Sequence, residues 1–193
     1  MSSRVFITGT GIISAIGNNI EETLLSIQAG KTGIGKLDNF STRHREQLAV
    51  GEIKDTDEAL KTICGIVSQT RYSRTSLLGM IAAREAIVNA GIDDISKFST
   101  GIVSATSVGG MALAENHFME YLDPNDNDEY LSYINTLDCS DSTEKIADFL
   151  GIKHFLSTVS TACSSSANSI MFGARLIKQG IIDRVIAGGT DSL

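Results

Sequence analysis

The stretch Ser157-Thr158-Val159-Ser160-Thr161-Ala162-Cys163-Ser164-Ser165-Ser166 decides how this chain is read. Residues 155–160 predict a strand, and Cys163 sits at its end. Beyond it Ala167, Ile170, Met171, Ala174 and Ile177 make one apolar stripe at helical spacing to about 178, where Gly180 stops the helix. A cysteine therefore stands at a strand-to-helix junction. Amides of a first helical turn lack intrahelical acceptors and carry partial positive charge, which favours a thiolate and can hold an oxyanion built on an attached acyl group. Small neighbours such as Ala162 and Ser164 leave room for a substrate carbonyl. From the residues alone two readings stand: a nucleophile, or a buried structural cysteine of the kind common in cores.

The pattern repeats outward. Residues 4–8 (Arg-Val-Phe-Ile-Thr) predict a first strand running into Gly9-Thr10-Gly11. Asn18 with Glu21 predicts a helix over about 19–29, closed by Gly30, with Ile20, Leu24 and Ile27 on one face. A short strand near 48–53 and a helix near 57–68 follow. The clearest helix covers about 73–90, is apolar nearly all round, and should place Ala82 and Ala86 in the core. Residues 100–106 predict a second strand leading into Gly109-Gly110 and a helix over about 111–121. Asp141 with Glu144 predicts a helix start ending at Gly151. Arg184-Val185-Ile186-Ala187 predicts a fourth strand before Gly188-Gly189. Alternating strands and helices imply an α/β fold whose largely parallel sheet is covered on both faces.

Composition agrees with a single globular domain: 193 residues, 42% hydrophobic and 20% charged, without repeats or low-complexity tracts. A net charge of -7 argues against nucleic acid or an anionic membrane as partner, and no apolar run approaches a membrane span. Cys64, Cys139 and Cys163 are too far apart for a CxxC pair and odd in number, which suggests a reduced, cytoplasmic protein.

Three other features read as structural. Gly9-x-Gly11 lacks the third glycine or alanine of a dinucleotide fingerprint, since Ser14 stands there. The acidic loop 123–129 has Asp128 where a calcium loop needs glycine and Ile134 where it needs glutamate. His44, His117 and His154 show no metal-ligand spacing, so no metal is expected.

Thr161-Ala162-Cys163-Ser164-Ser165-Ser166, followed by Arg184-Val185-Ile186-Ala187-Gly188-Gly189-Thr190, resembles the nucleophile region of the β-ketoacyl-acyl-carrier-protein synthases, including polyketide ketosynthase domains. Val5-Phe6-Ile7-Thr8-Gly9-Thr10-Gly11, Ala29-Gly30-Lys31-Thr32-Gly33-Ile34 and Val108-Gly109-Gly110-Met111 are similar to that family in the same order. The resemblance implies a thiolase-like fold, of which residues 1–193 would be the N-terminal half: mostly parallel mixed sheet with helices on both faces, within a layered α-β-α-β-α architecture that is usually dimeric. The implied reaction is acyl transfer from an acyl carrier protein to Cys163, then a decarboxylating Claisen condensation with the malonyl-carrier protein. Cys163 matches the nucleophile and its own N–H an oxyanion donor. Val108, beside Gly109 and Gly110, matches the acyl-chain tunnel, with Ala162 adjoining. The segment at about 130–138 matches a region near the partner subunit's acyl pocket. Lys61, Arg71 and Arg74 lie where the family has a basic patch for the carrier protein, though a solvated helix face reads equally well. No cofactor is expected beyond the phosphopantetheine arm of the carrier protein.

The family's two catalytic histidines, with a lysine and a phenylalanine gate, belong to its second half, and none of the three histidines here matches them. The expectation is a chain truncated after its fourth core strand. It would be a fragment of a synthase, one chain of a split enzyme completed by a C-terminal half, or a non-catalytic carrier-binding or dimerising module. Acyl-chain length and pathway are not legible.

Overall fold

The computed structural model describes residues 4–39, 42–67, 71–123 and 131–192. They fall into two compact units, residues 8–67 with 81–91, and residues 1–7 with 68–80 and 92–193.

The smaller unit begins with α1 (Ile20–Gln28). Its cap is Asn19, one residue later than the Asn18–Glu21 pairing suggests. The Asn19 side chain accepts the Glu22 N–H (2.8 Å), and the Glu22 carboxylate reaches back to the Asn18 N–H (2.8 Å), a reciprocal capping arrangement. Gly30, at φ 63°, ends the helix as expected. The face carrying Leu24 and Ile27 is exposed, and Thr23 is the buried residue of this helix. Strands β1 (Ile34–Lys36) and β2 (Ala49–Gly51) pair antiparallel, with Gly35 opposite Val50. Helix α2 (Asp57–Cys64) is capped by the Thr56 side chain and ends at Gly65, φ 71°, short of residue 68.

The long helix α3 (Arg74–Asn89) buries Leu77, Leu78, Met80 and Ile81. Its later residues Ala82 and Ala86, expected in the core, are only half-buried, and the backbone of residues 9–11 crosses the helix beside them. A Cβ on Gly9 would lie 2.6 Å from Ala90 N, and one on Gly11 would lie 2.7 Å from Ala86 N. The Thr10 N–H donates to Asn89 Oδ1 (3.0 Å), and the Glu85 carboxylate accepts both the Ile12 and Ile20 N–H groups (2.8 Å each). The Gly-x-Gly element is thus a bare-backbone crossing of a helix.

The larger unit is built on β3 (Thr100–Ala105), followed by α4 (Met111–Asn116), α5 (Phe118–Tyr121), α6 (Leu131–Ile134), α7 (Cys139–Leu150), β4 (Phe155–Val159), α8 (Ser165–Lys178) and β5 (Arg184–Ala187). The strands form one sheet in the order β4-β3-β5, parallel throughout. Every residue of the central strand β3 is buried, which accounts for its unbroken run of small and apolar types. The crossovers β3–α7–β4 and β4–α8–β5 move in opposite directions along the sheet, so right-handed connections put α7 and α8 on opposite faces. Register agrees. Val103, Phe155, Val159 and Val185 pack with Leu176, Phe172 and Ile182 on the α8 face. On the other face the Thr158 hydroxyl meets the Thr143 hydroxyl of α7 at 2.7 Å. Gly173 lets α8 sit close on β5, since a Cβ there would lie 2.9 Å from Val185 Cγ1.

Three further expectations are corrected. Residues 4–8 form no strand, and the consecutive Phe6 and Ile7 are both exposed, at 70% and 80%. β-branched and aromatic residues favour a strand only where a partner edge and a buried face exist, and no described strand pairs with them. The helix over 111–121 breaks at His117, which takes φ -105° and ψ 7°. Helix α7 starts at Asp138, whose side chain accepts the Ser140 N–H, not at Asp141. That backbone hydrogen bond, together with one from the Ser140 hydroxyl, holds the Asp138 carboxyl below the usual carboxylate range. Most of the acidic loop 123–129, including Pro124, lies outside the described residues. Among those described, no helix is long and apolar enough to cross a membrane.

Candidate active site

Parallel sheets gather their functional loops beyond the carboxyl ends of the strands. Here three loops leave that edge: 106–110 after β3, 160–164 after β4 and 188–191 after β5. Backbone bonds join them to the sheet and to each other. The Thr106 N–H donates to Val159 O (3.3 Å) and the Thr190 N–H to Ala105 O (2.9 Å).

The middle loop carries Cys163. Ala162 has φ 51°, the sole positive value at a non-glycine among the described residues. A left-handed alanine costs roughly 1–2 kcal/mol, so the turn persists only where neighbours over-determine it. They do. Ala162 O accepts from the Ser165 hydroxyl (2.6 Å) and the Ser107 hydroxyl (3.2 Å), while Ser165 Oγ accepts the Thr161 N–H (2.8 Å). The Ser164 hydroxyl donates to Thr161 O (2.8 Å), and Asn168 Nδ2 donates to Thr161 Oγ1 (2.8 Å). Ser169, fully buried, ties α8 to Gly188 O (3.0 Å). The serines after the cysteine thus knit the turn that presents it.

Cys163 is exposed, Cys139 half-buried and Cys64 buried; the reading of a buried structural cysteine fits Cys64, not Cys163. Burial pushes the Cys64 thiol up, against a smaller opposing effect of Arg84. Alkylation of the native protein by iodoacetamide should therefore modify Cys163 first and Cys64 last. The gap to Cys64 should exceed about tenfold, from the difference in access and the raised Cys64 thiol. Peptide mapping over time checks this, and equal rates at the three positions would contradict it.

The first loop holds the residues matched to an acyl tunnel. Val108 is half-buried, and Gly109 and Gly110 are buried. Gly109 takes φ 56°, and a Cβ on Gly110 would lie 2.6 Å from Thr136 O. Both glycines are required by backbone geometry. The Thr75 hydroxyl donates to Gly109 O (2.8 Å), and the Thr190 hydroxyl donates to Thr75 O (3.1 Å). The Ser107 hydroxyl's bond to Ala162 O joins this loop to the one that carries Cys163.

The basic residues divide between the two units. Lys61 lies in the smaller unit on α2, paired with Glu58 at 2.8 Å. In the larger unit, the Arg71 guanidinium lies 4.9 Å from the Tyr133 ring centroid, and half-buried Arg74 opens α3. His117 stacks on the same Tyr133 ring at 3.8 Å, with Nδ1 2.7 Å from Glu120. The sequence reading missed Thr106, Ser107 and Asp191, which connect the loops. Nothing local marks them, because their partners lie 55 to 85 residues away.

The model of the β-ketoacyl synthase N-terminal domain matches residues 2–193. The chain belongs to the β-ketoacyl synthase family. A curated relative, 3-oxoacyl-[acyl-carrier-protein] synthase 2 of Staphylococcus aureus N315, is 27% identical over 193 residues, 99% of this chain and 46% of the relative. Synthase 1 of Haemophilus influenzae is 31% identical over 201 residues, 98% of this chain and 47% of the relative. The chain thus spans about half the length of these relatives. The ishigamide ketosynthase/chain length factor superposes with a TM-score of 0.86 at 27% identity, covering 100% of this chain and 48% of that one. A type II polyketide ketosynthase, solved with its acyl-carrier protein and bound to a hexaketide, gives a TM-score of 0.74 at 22% identity, with 100% and 46% covered. The fold is accordingly the α/β, thiolase-like arrangement of a ketosynthase N-terminal domain.

Proposed function

We propose that this chain supplies the nucleophile half of a β-ketoacyl-acyl-carrier-protein synthase in a fatty acid or polyketide type of biosynthesis, with Cys163 as the acyl acceptor. The observation that carries this reading is the strained, serine-braced turn that presents an exposed cysteine at the carboxyl edge of a parallel sheet. Cys163 Sγ attacks the thioester carbonyl on the phosphopantetheine arm of an acyl carrier protein. The resulting oxyanion is held by the Cys163 N–H, and the arm's thiolate departs. Val108, Gly109, Gly110 and Ala162 border the acyl chain. Lys61, Arg71 and Arg74 serve the acidic carrier protein, Lys61 exchanging its Glu58 partner. In the condensation step malonyl-carrier protein loses carbon dioxide, and its carbanion displaces the Cys163 thiolate from the acyl group. We assign the groups that handle the enolate and proton in that step to the complete protein, not to His44, His117 or His154. The working assembly is a homodimer, or this chain paired with a C-terminal half, in the cytoplasm.

Intact mass after incubation of the protein with acyl-carrier protein tests the reading. A mass gain equal to the acyl group, mapped to the peptide holding Cys163, is expected. Folded protein that remains unmodified would reject it.

A further inference from the structure

We propose that Asp191 is a positioning residue for Cys163: its carboxylate fixes the loop after β3, and through Ser107 it holds Ala162 in the left-handed conformation that sets the nucleophile. The inference rests on the reading of Cys163 as acyl acceptor and adds a residue outside its motif. A single oxygen, Asp191 Oδ1, accepts from the Thr106 hydroxyl (2.6 Å), the Ser107 N–H (2.7 Å) and the Val108 N–H (3.3 Å). Thr106 is itself 1% exposed, and its Oγ1 accepts the Gly109 N–H (3.0 Å). Asp191 therefore pins three consecutive residues and, through Thr106, a fourth. The Ser107 side chain then donates across to Ala162 O (3.2 Å), the carbonyl directly before Cys163. Asp191, Ser107 and Ala162 come from the loops of three different strands, so no local preference assembles them. A left-handed alanine is held by its surroundings, and this bond is the one brace on Ala162 O that comes from another loop. The others, from the Ser165 hydroxyl and the Ser165 N–H, are internal to the turn.

The role assigned is geometric. All three donors are satisfied by one oxygen, which an asparagine amide oxygen can replace, so the negative charge is not what matters. Asp191→Ala removes the anchor and lets the Ala162 turn relax. A misplacement of about 1 Å at a reacting group can cost on the order of 10²-fold in rate.

The test uses the full-length protein with two readouts. The first is the rate of acyl transfer from acyl-carrier protein to Cys163; the second is hydrogen exchange of the peptide spanning residues 160–169. Asp191→Ala should lower the maximal transfer rate at least tenfold, leave the half-saturating carrier concentration unchanged, and speed exchange in that peptide. Asp191→Asn should recover most of both. Ser107→Ala, which removes only the cross-loop brace, should reproduce the exchange change. Wild-type transfer and exchange in Asp191→Ala, or an Asp191→Asn variant as impaired as Asp191→Ala, would overturn the proposal. If Asp191→Ala unfolds, seen as loss of the far-UV circular dichroism signal, Ser107→Ala decides in its place, and wild-type exchange there overturns the idea. If wild-type protein takes no acyl group, the nucleophile reading fails by itself. The exchange measurement still judges Asp191.

Discussion

Replacing Cys163 with alanine is expected to abolish the acyl adduct while leaving the fold intact. The two halves of that expectation have separate physical origins. Alanine has no nucleophilic atom, and losing the nucleophile of an acyl-transfer site costs on the order of 10³-fold or more. Cysteine-to-serine should do nearly as badly, because a hydroxyl of far higher pKa replaces the thiol without a base having been shown beside it. The side chain removed is exposed, so its contribution to packing is small. Stability should change by about 0.5 kcal/mol or less, as for most surface substitutions. Intact mass and a urea titration on the same preparation read both quantities. An adduct of unchanged yield in the alanine variant would move the chemistry to another residue. A large fall in the urea midpoint would instead show that Cys163 braces the turn, as Ser165 and Ser164 do.

What could be read from sequence follows from how far each device reaches along the chain. Helix ends are local, so Gly30, Gly151 and Gly180, all left-handed, mark the stops of α1, α7 and α8, whereas Gly65 ends α2 short of the expected residue 68. Caps at Asn19 and Asp138 were displaced by one to three residues because neighbouring Asn and Asp side chains compete for the same role. Strand 4–8 failed for the opposite reason: pairing is non-local, and composition cannot supply a partner edge. The antiparallel partner of β2 escaped notice because Ile34-Gly35-Lys36 is three residues long and carries no alternation. At the site, the place of Cys163 between a strand and a helix is legible in the sequence, whereas the carboxylate that wires the loops together is not. Asp191 sits in an ordinary Gly-Gly-Thr-Asp turn, and its meaning comes only from Thr106, 85 residues earlier.

Gly11→Val is expected to be the most destabilising single change in the smaller unit. Residues 9–11 cross α3 with backbone against backbone: a Cβ on Gly11 would overlap Ala82 O and lie 2.7 Å from Ala86 N. Flexible side-chain ends can swing aside, but these atoms belong to the helix's own hydrogen-bonded backbone. Relief therefore means lifting the segment off α3. That would also break the Thr10–Asn89 and Ile12–Glu85 bonds, which run to either side of the crossing. Overpacking ordinarily costs about 1–3 kcal/mol and occasionally more. With two rigid contacts and two tethers affected, a loss of about 3 kcal/mol or more is expected, seen as a lower urea midpoint. Ala86→Asp should cost less than a buried charge normally does, since Ala86 is only half-buried and its carboxylate can turn to solvent. Gly35→Ala is the control. A Cβ there meets nothing within 4 Å, and the residue is not among the left-handed glycines. That substitution should shift stability by about 0.5 kcal/mol or less. Should Gly11→Val unfold at the same urea concentration as Gly35→Ala, the crossing is not a close contact in solution. The Gly-x-Gly pair would then be a turn and nothing more.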